Sequence, residues 1–161
     1  MRRFLVLLGV LIASCACASG AGAATTPGTV SATFAEPIMP AIQSGCPIPP
    51  NQGLCGSGEL IPFGHATETI LFGGACGGDC DLRTINLADG SIVSNEVFSN
   101  PTCPGVCASR GFGQPAFGTV TDVIVGGTGS FAGASGHLAG SVHAAGTSGV
   151  AQLSGTITLA T

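Results

Sequence analysis

Gly126-Gly127-Thr128-Gly129-Ser130-Phe131-Ala132-Gly133-Ala134-Ser135-Gly136 is the stretch that decides the fold. Five of its eleven residues are glycine, and one large apolar side chain, Phe131, sits in its middle. A β-type run, Thr119 to Val125, leads in, and a second, His137 to Ala144, leads out. Glycine admits positive φ and close backbone approach. Such a cluster between two strands reads as a sharp reversal or a bulge, with Phe131 as the plug that fixes it. Gly126, Gly127, Gly129, Phe131, Gly133 and Gly136 are therefore read as a structural motif.

Gly127 to Ala132 also matches the G-x-G-x-x-G/A dinucleotide fingerprint, with a strand before it. That fingerprint needs a helix next and an acidic residue about 20 positions on. Gly133, Gly136, Gly140 and Gly146 are poor helix material, and no acid follows Asp122. The nucleotide reading is set aside on that context.

Outward from this stretch the chain reads as short strands. Thr29 to Ala35 alternates weakly; Gly58 to Phe63 and Ala66 to Phe72 form a pair around Gly64-His65. Leu82 to Leu87 and Ser91 to Phe98 flank Asp89-Gly90, a hairpin signal. Val150 to Leu159 closes the series, with Ala151, Leu153, Ile157 and Leu159 on one face and Gln152, Ser154, Thr156 and Thr158 on the other. Glycine and proline recur too often for a long helix. About eight short strands separated by turn signals point to an all-β domain, a small antiparallel barrel or a sandwich. Barrel closure would remove the free sheet edges.

The N-terminus has a different character. Arg2 and Arg3 precede an apolar run from Phe4 to Ala13, followed by small residues to Ala24. A basic segment, a short apolar core and a small-residue processing region read as an export signal over 1–24. Residues 25–55 form a proline-rich lead with a first strand in it, and 56–161 the barrel domain. Cleavage after Ala23 removes Cys15 and Cys17 and leaves six cysteines. The alternative is a lipobox, Ile12-Ala13-Ser14-Cys15, which makes Cys15 the lipidated first residue. The protein is thus expected outside the cytoplasm, secreted or periplasmic, or else anchored through Cys15.

Loss of the signal leaves Arg83 and Arg110 against eight acids, a net charge of about −6. A phosphate backbone finds almost no counter-charge there, which excludes nucleic acid as a partner. No stretch is long enough for a transmembrane helix.

Cys76/Cys80 and Cys103/Cys107 share C-x3-C spacing, and Cys46/Cys55 lie nine apart. The two C-x3-C pairs could be combined into a zinc site, but structural zinc favours tighter knuckles and a reducing compartment. Behind an export signal the cysteines read as disulfides. Six cysteines allow 15 pairings; the simplest is the local one, Cys46–Cys55, Cys76–Cys80 and Cys103–Cys107. His137 and His143 share one strand face, with His65 or Glu68 as a third ligand, yet no metal-binding spacing supports a site. Asp79 and Asp81 lack a calcium-loop pattern. No metal and no cofactor is assigned. Among the acids, Glu68 and Asp122 lie within strands and are the candidates for inward catalytic groups; alternation leaves either face open to Asp122.

The glycine stretch resembles the signature of the allene oxide cyclase-like and dirigent-like β-barrels, a family that includes exported bacterial members. Weaker similarity lies at Gly56-Ser57-Gly58, Pro62-Phe63-Gly64-His65-Ala66-Thr67, Leu87-Ala88-Asp89-Gly90-Ser91 and Leu153-Ser154-Gly155-Thr156-Ile157, so that it covers roughly residues 56 to 161. The resemblance implies a barrel with an interior cavity and a homo-oligomer, a trimer. The cyclases resolve an unstable epoxide largely by shape, and dirigent relatives steer radical coupling with acidic residues. None of their catalytic residues maps onto this chain, which lacks Tyr and carries cysteine-laden loops. The expectation is a disulfide-stapled, non-catalytic barrel that binds a small apolar molecule or serves as a surface module. The alternative is an isomerase or cyclase working inside the barrel.

Overall fold

The computed structural model describes residues 27–37, 45–49, 52–99, 113–146 and 148–160. The expected signal over 1–24, Cys15, Cys103 and Cys107 lie outside the described residues. The domain is all-β, and its eight strands close into one antiparallel barrel in which each strand pairs with its sequence neighbours. They are β1 (Gly28–Pro37), β2 (Gly53–Ile61), β3 (Gly64–Ala75), β4 (Cys80–Leu87), β5 (Gly90–Ser99), β6 (Gly113–Gly129), β7 (Ser135–Gly146) and β8 (Ser148–Thr158). A single 3₁₀ turn, Cys76–Gly78, joins β3 to β4.

Closure is made by β1, which pairs with β2 on one side and with β8 over Gly28–Pro37 on the other. The barrel therefore begins at Gly28, whereas the sequence reading started it at residue 56. The physical reason is the pairing partner: a weakly alternating strand gains its place from β8, about 120 residues away in the chain, and such long-range pairing leaves no local signal.

Period-2 alternation sorts the side chains. Val30, Ala32, Phe34 and Glu36 are buried on β1, while Thr29, Ser31 and Thr33 face out. Large apolar side chains are also exposed, among them Ile61, Val97, Phe117, Val123, Val125 and Val150. No helix among the described residues is long and apolar enough to cross a membrane.

Eight strands leave an interior just wide enough for side chains to fill. At one end the connections are short turns, and the interior is apolar: Val30, Leu60, Ile92, Ile124, Leu138 and Ile157 are buried there with Phe131 and Ala134. The glycine stretch closes this end. Val93 pairs with Gly126 and Ser94 with Ile124, so Val125 is an extra residue that bulges β6. The reversal follows, with Phe131 N–H donating to the Thr128 carbonyl (3.0 Å) and Ala134 N–H to that of Phe131 (3.0 Å). Gly129 has φ +57°, and a Cβ on it would overlap the Asp89 carbonyl oxygen. Only glycine fits that position. The β4–β5 turn is thereby locked to the β6–β7 turn, and Ser130 N–H donates to Asp89 O (2.9 Å). Phe131 is 3% exposed and meets Phe63 edge-to-face, with ring centroids 5.1 Å apart.

Among the described residues two disulfides, Cys46–Cys55 and Cys76–Cys80, staple segments at the opposite end.

Candidate functional site

Alternation that drives valine and isoleucine inward drives every residue of the same parity with them. On β1 that residue is Glu36, on β3 Glu68, on β4 Arg83, on β5 Ser94 and Glu96, and on β6 Asp122. All six are buried. Cross-strand pairing brings them together: Arg83 lies opposite Ser94, and Glu96 opposite Asp122.

Arg83, fully buried, is the hub. Its Nε donates to Glu96 Oε2 (2.5 Å) and lies 3.4 Å from Asp122 Oδ1. Its Nη1 contacts Glu68 and lies 3.8 Å from Glu36 Oε1. Its Nη2 rests against Glu96 without a well-directed hydrogen bond. Ser94 Oγ donates to Asp122 Oδ1 (2.8 Å). Three acceptors are left buried without a hydrogen-bond partner, Glu36 Oε1, Glu68 Oε1 and Asp122 Oδ2.

One guanidinium cannot neutralise four carboxylates, and burial penalises each charge that remains. The carboxyl groups respond by holding protons. Burial, opposed by Arg83 and reinforced by Glu36, pushes Glu68 up to about 9. Burial also pushes Glu96 up to about 7 against the pull of Arg83. Glu36 and Asp122 are raised as well, burial being the main cause in each. Burial works to lower Arg83, but the surrounding carboxylates outweigh it and hold the guanidinium charged.

Above this cluster the barrel opens into a cavity of about 210 Å³. Leu54, Ile70, Phe72, Phe98, Val142 and Ala144 make its apolar wall, and Glu36, Arg83 and Glu96 reach it from below. Asp81 also borders it and accepts a hydrogen bond from Gly73 N–H (2.8 Å). A larger cavity, about 430 Å³, lies beside the Cys46–Cys55 bridge along Ser57, Thr67, Thr69 and Asn86. It gathers no set of charged groups apart from Glu68, whose carboxylate is held by Arg83.

The two acids singled out in the sequence, Glu68 and Asp122, both point into the barrel and meet at Arg83. Arg83, Glu36, Glu96 and Ser94 were missed. The available signal was parity: Arg83 matches Ile85, and Glu96 matches Ile92 and Ser94. His65, His137 and His143 all face outward, and His143 packs against the Phe117 ring, centroids 4.7 Å apart. Glu68 faces the interior and cannot join them. Among the described residues no group of His, Cys, Asp or Glu is arranged to hold a metal ion.

Comparison with protein-family models, with curated proteins and with solved structures found no match to this chain.

Proposed function

We propose that the chain is an exported barrel that binds a small, largely apolar molecule in its open mouth and does no chemistry on it. The observation that carries this reading is the mouth cavity, with apolar walls over a few convergent polar groups, the usual make-up of a small-molecule site. At about 210 Å³ it is below the typical range of ligand pockets (~300–1,000 Å³), which points to a small ligand. The disulfides suit an oxidising compartment and support the export part. The resemblance of Gly126–Gly136 to the allene oxide cyclase-like barrels is part of the same proposal.

Binding of 1-hexanol, followed by NMR shift changes, tests it. Resonances of Val142 and Ala144 are expected to move, and Val142→Phe, which fills the mouth, is expected to weaken binding about tenfold or more. Absence of binding, or binding untouched by Val142→Phe, overturns the reading.

One observation favours the second reading, an isomerase or cyclase. Glu96 borders the cavity and sits at about 7, where a carboxyl group can both take and give a proton at neutral pH. Turnover of an unsaturated or epoxide probe that disappears in Glu96→Gln would establish it in place of simple binding.

A further inference from the structure

We infer that the mouth cavity selects a small organic cation, a primary ammonium or amidinium group carried on a short apolar tail. This rests on the binding reading above and adds the charge of the ligand to it. The floor of the cavity has carboxylates in excess. Its one cation, Arg83, is already in contact with Glu68 and Glu96 and has Asp122 at 3.4 Å. An incoming anion would therefore find no free positive group, and once the acids ionise it would also face a negative field.

A donor, by contrast, finds an acceptor that lacks a partner. Glu36 is 3% exposed, borders the cavity and has an Oε1 with no hydrogen-bond partner. Its distance of 3.8 Å to Arg83 Nη1 is beyond hydrogen-bond reach. A buried carboxylate oxygen in this state is a standing cost that an N–H⁺ donor would remove with a charge-assisted bond. Glu96, which also borders the cavity, supplies a second acceptor. Phe72 and Phe98 on the wall would cover the tail.

Protons compete for the same place. The titratable and charged groups around Glu36 and its cavity are Glu68 from β3, Arg83 and Asp81 from β4, Glu96 from β5 and Asp122 from β6. At the cavity β2 and β7 contribute Leu54, Val142 and Ala144, and β8 pairs Gly149 with Glu36. Protonation of Glu36 and Glu96 satisfies the floor without a ligand, so cation binding strengthens as pH rises through the range in which these groups ionise.

Calorimetric titration of the full, disulfide-bonded protein with hexylammonium, 1-hexanol and hexanoate at pH 8 and pH 5 tests the inference. At pH 8 hexylammonium is expected to bind about tenfold or more tighter than 1-hexanol, with hexanoate weakest. The hexylammonium advantage shrinks at pH 5, and in Glu36→Gln it falls below about threefold. Glu96→Gln, read in the same way, carries the test if Glu36→Gln does not fold. Equal affinities for hexylammonium and 1-hexanol, or an advantage that survives pH 5 and both variants, overturn the inference while the binding barrel stands. No binding by any of the three compounds removes both.

Discussion

The two ends of this barrel are built from the same strands by the same alternation, yet they are filled by opposite chemistry. At the short-turn end Phe131 and Ala134 cap a layer of Val30, Leu60, Ile92, Ile124, Leu138 and Ile157. At the mouth end Arg83 holds four acids under an open cavity. Apolar burial at the first end is stabilising, at roughly 1.5–3 kcal/mol per large side chain. The second end carries buried charge whose pairing does not repay its desolvation when one partner must serve four. The contrast teaches a division of labour: one end supplies stability, and the other holds buried ionisable groups that cost some of it.

The largest break in the contrast comes from Arg83→Met. It leaves four buried carboxyl groups without their cation, and a loss of about 3–5 kcal/mol is expected in denaturant unfolding at pH 8. The loss should be smaller at pH 5, where the acids can be neutral. A pH-independent loss would mean that Arg83 contributes packing alone.

Phe131→Ala attacks the other end. It removes the plug and its contact with Phe63, and about 3–4 kcal/mol is expected. This loss should be the same at pH 5 and pH 8, since no titratable group lies in the apolar layer. A strong pH dependence here would blur the distinction between the two ends.

The unmodified barrel sharpens the comparison with a smaller effect. Glu96 is raised from 4.5 to about 7 and Glu68 from 4.5 to about 9. Between those values the folded protein holds protons that the unfolded chain has released. Stability is therefore fully present below pH 4.5, falls through about 7 as Glu96 ionises, and falls again toward 9 as Glu68 does. A melting temperature lower at pH 9 than at pH 5 by about 5 °C or more is expected. A flat or rising profile would contradict buried, proton-holding carboxyl groups.

Much of the short-turn end was legible in the residues. The Asp89-Gly90 turn, the glycine cluster and the alternation of Ala151, Leu153 and Ile157 each carry their own local signal. The mouth end was harder to read. Glu36 follows a weakly alternating strand and precedes a run of prolines, so its face depends on pairing with β8. Glu96 and Arg83 resemble ordinary polar strand residues until register sets them beside Asp122 and Glu68. A strand displays its parity, but which parity faces the core follows from pairings far apart in the chain. Composition holds one more clue, since Arg83 and Arg110 are the only arginine or lysine residues beyond the first 24.

The most direct test of the account is a carboxyl NMR titration of the folded protein with Glu and Asp side chains labelled. The account predicts that Glu68 keeps its proton until about pH 9 and that Glu96 titrates near 7. Were Glu68 and Glu96 to titrate at the ordinary glutamate value of 4.5, the mouth would hold no buried charged cluster, and the division between the two ends would fall.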